Sequence, residues 1–545
     1  MHNNHIFETE NSIDYFKSFS SKYFKYTELK SLSCVIEAWG NATITFYQDY
    51  LKSGNASRKL LTEVKISTEN KRQFIVNFED LIDFGTISFD VSPKEKGSFH
   101  YDIQWNGIFE NNGAEINIAL CFTTFHREKY VENNLRRILE LNDDRIFTYI
   151  IDNGTSLELP ENEHYKVIPN LNAGGSGGFA RGMMEISKDL PKKGFTHFVL
   201  MDDDIDLYPN VLERLITFLS HLKDEYKDSF IGGSMLRRDM DYFVVETGAK
   251  RDGLSVKGNG FGLDMRDPKD CLINDSFEDA DYNAWWFCCI PVSYLRDDNY
   301  PLPIFFQWDD VDYGIRNKAR VITMNGICVW HDCFDSKRSA QMIYYSTRNP
   351  MIVDACHEGR MTKRKYLKHF RNIIRDQIYM YRYHEAEAIL RGVEDFLKGP
   401  DWLINLKQDE YNREIMKLNV PLQSCEVDMD RYYLCIGIED CDLLHKLVRL
   451  LTLNGMLLKA NRKIIIPLYA WRLVQTYRAT EVIYYDELTK RGYTAKKDLK
   501  EAFECYKKYR KLRRRVAREY DKVGAMYKEK YPYMTSKECW EKILL

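Results

Sequence analysis

Four apolar residues, Phe198 to Met201, run directly into three adjacent carboxylates, Asp202, Asp203 and Asp204. An unbroken apolar run of this kind reads as a buried strand. Carboxylates crowded at its end repel one another and lose hydration, so the fold must bring positive charge to that point. On a strand, residues i and i+2 point the same way, so Asp202 and Asp204 can converge on one ion while Asp203 faces elsewhere. Hard oxygen ligands select Mg²⁺ or Mn²⁺, ions that keep open positions for substrate phosphates. The competing reading is an aspartate-rich helix cap, since Asp206 to Pro209 lead into a helical pattern.

The strand does not stand alone. Apolar segments at 116–122, 147–151 and 197–201 alternate with helical stretches, one of which carries Val211, Leu212, Leu215, Phe218, Leu219 and Leu222 on one face. Strand–helix alternation predicts a parallel sheet covered by helices, with ligands beyond the carboxyl ends of the strands. Residues 1–112 have a different rhythm. Ile44 and Phe46, then Ile87, Phe89 and Val91, then Phe99, Tyr101, Ile103 and Trp105 alternate with polar residues, which predicts an antiparallel β module. From about 350 the pattern is mainly helical, with Tyr366, Phe370, Ile373, Ile374 and Ile378 at helical spacing and a stop at Gly399-Pro400. The expected architecture is multi-domain α/β: a β module over 1–112, a core with a mostly parallel, helix-covered sheet over 113–350 and a mainly helical region over 351–545.

Composition narrows the class. The chain has 545 residues, and roughly 150 per domain gives about three units. A net charge of −3 provides no global attraction to nucleic acid. No stretch approaches the roughly 20 apolar residues needed to cross a bilayer, and the opening residues do not read as a signal peptide. The thirteen cysteines are scattered without a C-x-x-C and read as free thiols of a reducing cytoplasm. KKYRKLRRRVAR at 507–518 holds eight basic residues, either a solvated helix face or a contact for an anionic membrane.

Other stations accompany the aspartates. PNLNAGGSGGFARG (169–182) lets backbone approach a ligand and opens a helix near Gly178 toward anions, but it lacks the G-x-G-x-x-G spacing of a dinucleotide site. CFTTFHR (121–127) follows the first parallel strand, and Thr124, Phe125 and Arg127 suit a nucleotide. In FFQWDDVDYGIR (305–316), Val311 and Ile315 lie one turn apart, so Asp309 and Asp310 begin a helix, as catalytic groups or as carboxylates facing its dipole.

In order, TTFHR, IIDNG, NLNAGGSGGFARG, MDDD, NAWW (283–286), QWDD and VWH (329–331) resemble the bacterial galactofuranosyltransferases that polymerise cell-wall or capsular galactan. That family belongs to the inverting glycosyltransferases of family two with a GT-A fold, flanked by an N-terminal β-sandwich and a C-terminal helical domain. The resemblance implies that Asp202, Asp204 and His331 hold Mn²⁺ or Mg²⁺, and that Arg127, Asn153 and Asn170 contact uridine diphosphate. It implies Asp310 as general base and Asp309 as an acceptor contact. Trp285 and Trp286 line a sugar subsite or pack the core, and Arg348 of STRN is a weaker phosphate contact. The implied reaction moves galactofuranose from UDP-galactofuranose to a glycan or glycolipid acceptor, with peripheral inner-membrane contact and homo-oligomerisation as accompanying expectations. Two rival readings keep the fold. One changes the donor to UDP-galactopyranose, UDP-glucose or a dTDP-sugar; the other makes the chain a non-catalytic glycan-binding protein.

Overall fold

In the computed structural model, residues 3–8, 17–333, 337–427, 443–459, 462–470 and 472–545 are described. The alternating N-terminal segments form one six-stranded antiparallel sheet: β1 (Asn3–Glu8), β2 (Phe19–Ser20), β3 (Leu29–Lys52), β4 (Asn55–Phe78), β5 (Thr86–Pro93) and β6 (His100–Phe109). β3 and β4 make a long hairpin, and β6 and then β5 pair along the other edge of β3. Phe78 pairs with Leu32, 14 residues before Phe46 (46 − 32), a span of about 46 Å on a straight strand. The Phe46 and Phe78 rings nevertheless lie 5.2 Å apart, and both touch buried Trp105. The hairpin therefore folds over on itself. Gly40, at a register shift in β3, makes the bend possible: its φ is +105° and a Cβ there would lie 2.2 Å from the Ser98 carbonyl. The strands of the expected β-sandwich module are hydrogen-bonded as one sheet, whose folded hairpin packs Phe46, Phe78 and Trp105 together.

The central sheet combines β7 (Ile118–Thr124), β8 (Ile146–Asp152), β9 (Tyr165–Pro169), β10 (His197–Asp202), β11 (Phe230–Arg237), β12 (Val244–Glu246), β15 (Phe287–Pro291) and β16 (Val321–His331), with the small hairpin β13 (Ala249–Asp252) and β14 (Ser255–Gly258) beside it. Its order is β12-β11-β15-β10-β7-β8-β9, with β16 also on β11. The β10-β7-β8-β9 and β11-β16 pairs are parallel; β15 and β12 run antiparallel. Both faces are buried, so the strands read as unbroken apolar runs. Around the sheet lie α1 (Lys22–Tyr26), α2 (Glu128–Glu140), α3 (Gly174–Lys193), α4 (Pro209–Ser220), α5 (Pro268–Asp275) and α6 (Asp309–Asn317). The apolar stripe expected on α4 is its buried face.

After the central sheet come α7 (Ala340–Cys356), α8 (Lys363–Tyr379), α9 (Tyr383–Phe396), α10 (Pro400–Ile404), α11 (Gln408–Met416), α12 (Leu443–Leu451), α13 (Leu499–Met534) and α14 (Lys537–Leu544). A mixed four-stranded sheet is inserted among them, made of β17 (Gln423–Ser424), β18 (Arg462–Pro467), β19 (Ala479–Asp486) and β20 (Arg491–Lys496), which the helical expectation did not include. α8 buries Tyr366, Phe370, Ile374 and Ile378 against α13. The basic stretch of α13 buries Tyr509, Leu512 and Val516, and it pairs Lys508 and Arg515 with Glu387 and Glu394 of α9. Among the described residues, no helix is long and apolar enough to cross a membrane.

Candidate functional site

β10 ends at Asp202, and the chain bends through Asp203 to Ile205. Asp206 then exchanges two backbone hydrogen bonds with Trp330, at 2.8 and 3.2 Å. That bridge clamps the aspartates beside the end of β16, so His331 arrives next to residues 127 positions earlier in the chain. Ligand atoms of Asp202, Asp204 and His331 all lie within 4.8 Å of one another. His331 Nδ1 donates to the Asp332 carbonyl at 2.6 Å, which turns Nε2 toward the carboxylates.

Positive charge does reach the cluster. Arg127 Nη1 lies 2.8 Å from Asp203 Oδ1 and 2.9 Å from Asp204 Oδ2. Lys337 Nζ lies 2.9 Å from the same Asp204 oxygen, and His331 Nε2 lies 3.0 Å from Asp204 Oδ1. Behind the cluster, Arg238 donates to the Asp204 carbonyl (2.7 Å), to Asp206 and to Asp332, tying both strand ends together. The carboxyls respond in opposite directions. Burial, reinforced by the Asp204 charge, pushes Asp202 up to about 7. Burial also opposes ionisation of Asp204, but the His331 hydrogen bond and charge, with Arg127 and Lys337, hold it far below the usual carboxylate range.

A second acidic group faces the first. α6 begins at Asp309, whose Oδ2 accepts from Ser176 Oγ at 2.9 Å. Burial pushes Asp309 up to about 6. Asp310 is raised well above the ordinary range by burial, then by the charge of Asp309, with Glu246 and Asp202 adding to it. Asp310 therefore stands within electrostatic reach of Asp202 of the triad and of Glu246 of β12. Burial also lifts Glu246 to about 7.

The loop that delivers α6 is held in an unusual backbone conformation. Phe305, Gln307 and Trp308 all have φ between 65° and 79°, a region disfavoured for bulky residues. Asn349 Nδ2 donates to the carbonyls of Ile304, Phe306 and Gln307, at 3.1, 2.7 and 3.0 Å, which pins the loop. On the far side, Asp312 accepts from Tyr531 (2.6 Å) and sits 2.8 Å from His357, which anchors α6 to α7 and α13.

The glycine-rich segment has a different role from the one expected. α3 starts at Gly174, ahead of Gly178, and the Ser176 N–H is taken by the Phe305 carbonyl at 2.9 Å rather than left for an anion. A Cβ at Gly178 would lie 1.9 Å from Thr123 Oγ1, and one at Gly182 2.1 Å from Cys121 Sγ. These glycines let α3 lie directly on β7.

The remaining expected residues divide. Thr124 is buried at the end of β7, and Phe125 is half exposed beside it. The Asn153 and Asn170 amides are used inside the protein: Asn170 Nδ2 donates to Asn153 Oδ1 (2.8 Å), and Asn153 Nδ2 to Thr123 Oγ1 and the Gly174 carbonyl (both 3.1 Å). Trp285 and Trp286 point into opposite cores. Trp285 packs on Phe179 and Tyr313, which corrects its expected sugar contact, and Trp286 is fixed by donating to the Gly233 carbonyl at 2.8 Å. Arg348 is also corrected: it is fully buried and donates to the Ile304 carbonyl at 2.7 Å, so it braces the α6 loop and reaches no phosphate. Sequence reasoning missed Lys337, Ser176, Asn349, Arg238 and Glu246. Each acts through long-range contact; Ser176 and Asn349 lie inside segments already singled out and Lys337 six residues past His331, while Arg238 and Glu246 stand near none.

No family model matches the chain. It is 23% identical to galactofuranosyltransferase GlfT2 of Mycolicibacterium smegmatis, covering 97% of this chain and 88% of that protein. It is 24% identical to galactofuranosyltransferase GlfT2 of Mycobacterium tuberculosis, covering 72% and 66%. Similar solved structures include mannosyltransferase PcManGT of Pyrobaculum calidifontis with GDP-Man and Mn²⁺ (11% identity, TM-score 0.28, 52% of this chain and 74% of that one). Residues 1–349 of S. aureus TarS with UDP give 11% identity and a TM-score of 0.32, over 55% and 90%.

Proposed function

From the premise that the chain is a glycosyltransferase related over most of its length to the galactofuranosyltransferases, we propose that it moves galactofuranose, with inversion, from UDP-galactofuranose to a hydroxyl of a cell-surface glycan or lipid-linked acceptor. The observation that carries the reading is the meeting of Asp202, Asp204 and His331 at the end of the parallel strands, with Asp310 close enough to Asp202 to feel its charge. Within the same reading, 113–350 is the GT-A core, 1–112 a β module and 351–545 the region that supports the core from behind.

The residues fit a dication. Two carboxylates and an imidazole with its Nε2 turned inward form a hard donor set, and the raised Asp202 carboxyl marks a site short of positive charge. When bound, Mn²⁺ or Mg²⁺ held by Asp202, Asp204 and His331 supplies charge against the donor's diphosphate. The protein's own groups do the rest. Arg127 and Lys337 stand at the strand ends, where phosphate oxygens are received. Phe125 offers an exposed ring for the base, over a floor shaped by Thr124, Asn153 and Asn170. Asp310 takes the proton of the acceptor hydroxyl, while Asp309, held by Ser176, orients that acceptor. Trp286 lines the inner wall near the sugar.

The test is incubation of the purified protein with UDP-galactofuranose, Mn²⁺ and a synthetic galactofuranosyl acceptor, read by mass spectrometry. Products longer by hexose units are expected, with none from UDP-galactopyranose, UDP-glucose or a dTDP-sugar. Transfer from one of those donors instead keeps the enzyme and refutes the donor. Failure to transfer from any donor, with the acceptor bound, leaves a glycan-binding protein.

A further inference from the structure

Lys337 holds a position that a phosphate contact alone does not explain. Its ammonium is 2.9 Å from Asp204 Oδ2 and 3.4 Å from His331 Nε2, so it sits among the groups assigned to the metal. Asp204 has no idle oxygen. Oδ1 faces His331, and Oδ2 is shared by Lys337 and Arg127. The cluster is three carboxylates (Asp202, Asp203, Asp204) against two fixed cations (Arg127, Lys337). A dication that enters alone must compete with an ammonium for Asp204 and leaves local charge in excess. A dication that enters with a diphosphate brings its own counter-charge. The displaced ammonium then has new acceptors beside it, because the diphosphate shares the ion. Lys337 suits such a move: its side chain is about one-third exposed and a flexible four-carbon stem carries three donors. Arg127 is less free, since its guanidinium is also committed to Asp203.

We infer that Lys337 is a resident counter-ion of the carboxylate pair, released to the donor's diphosphate only when metal and nucleotide arrive together. The site thereby accepts the two as a pair and resists idle metal. This rests on the metal-dependent reading above and adds a coupling between its two ligands. Such coupling is reciprocal: whatever nucleotide does for metal affinity, metal does for nucleotide affinity.

The experiment is calorimetric titration of Mn²⁺ into the wild-type protein, K337M and K337R, each with and without saturating UDP. In the wild type, UDP is expected to raise Mn²⁺ affinity by about tenfold or more, within the range common for coupled sites. K337M is expected to bind Mn²⁺ alone about tenfold more tightly than wild type, because the competing ammonium is gone, and to lose most of the enhancement by UDP. K337R keeps the charge and retains the enhancement. A lysine with a merely structural role predicts weaker binding of both ligands in K337M, with the coupling unchanged. That result overturns the inference, as does K337M binding Mn²⁺ no more tightly than wild type. If K337M does not fold, K337Q makes the same comparison. Wild-type protein that binds neither Mn²⁺ nor UDP refutes the underlying function along with the inference; wild-type binding with unaltered coupling in K337M refutes the inference alone.

Discussion

At the scale of single residues, the acidic cleft sets the pH behaviour. Asp310 is held above the ordinary carboxylate range by burial and by Asp309, so the base is ionised only as pH rises, and transfer rate should climb with pH along a single acid limb. D309N removes the neighbouring negative charge and should move that limb to lower pH in a kcat/KM profile, whatever it does to the maximum. A limb that stays in place means Asp310 is not the titrating base. Glu246 gives an independent check on stability. Its folded pKa, about 7, lies above the value near 4.5 of an exposed glutamate. It therefore contributes stability that is complete below about pH 4 and is lost as pH rises through 7. E246Q should melt a few degrees above wild type at pH 8 and equal to it at pH 4. How far such residues could be read in advance depended on sequence distance. Asp202 and Asp204 declared themselves because three carboxylates ending an apolar strand need an explanation within six residues. Glu246 follows two valines and looks like any strand residue, because the burial that shifts it comes from elements far away in the chain.

At the scale of elements, the decisive piece is the short path from Ile304 to α6. Three left-handed residues within four positions, Phe305, Gln307 and Trp308, are held by the Asn349 amide and by Gly174, whose Cβ would lie 2.1 Å from the Phe305 carbonyl. N349A should cost about 1–3 kcal/mol, the usual cost of orphaned buried acceptors. It should also lower kcat well before it affects UDP binding, because the loop carries Asp309 and Asp310 and not the metal triad. A titration of UDP beside a rate assay separates the two. The strands β7, β8 and β10 and the helix α4 were readable from periodicity alone, since each is an apolar run or stripe of ordinary length, whereas β9 and β11 were not read. The glycine segment was misread in a way physics explains. Glycine permits close approach of backbone to anything, and sequence cannot say whether the approaching group is a phosphate or, as here, Thr123 and Cys121 of the neighbouring strand.

At the scale of the molecule, the core is braced from both termini. On one side the buried Lys22 ammonium donates to the Thr323 and Phe277 carbonyls, while Asp275 accepts from Ser20, linking the first sheet to β16. On the other, Trp540 of α14 is fully buried, donates to the Pro301 carbonyl at 2.7 Å and packs near Gly177 of α3. W540A should destabilise the fold by about 3–5 kcal/mol, the range for emptying a buried tryptophan site. Its unfolding midpoint in denaturant should fall accordingly. None of this was visible in the C-terminal sequence, where a tryptophan in KECWEKILL reads only as the apolar face of a short helix. The folded-over first sheet was hidden for a related reason: alternation marks strands but not how a long hairpin bends at Gly40. The account as a whole turns on Asp204 as the point where a dication and a nucleotide diphosphate are held together. UDP titrated into wild type and D204A, each with Mn²⁺ and with EDTA, tests this directly. The account predicts Mn²⁺-dependent binding in wild type that is lost in D204A; equally tight, metal-independent binding in both proteins would contradict it.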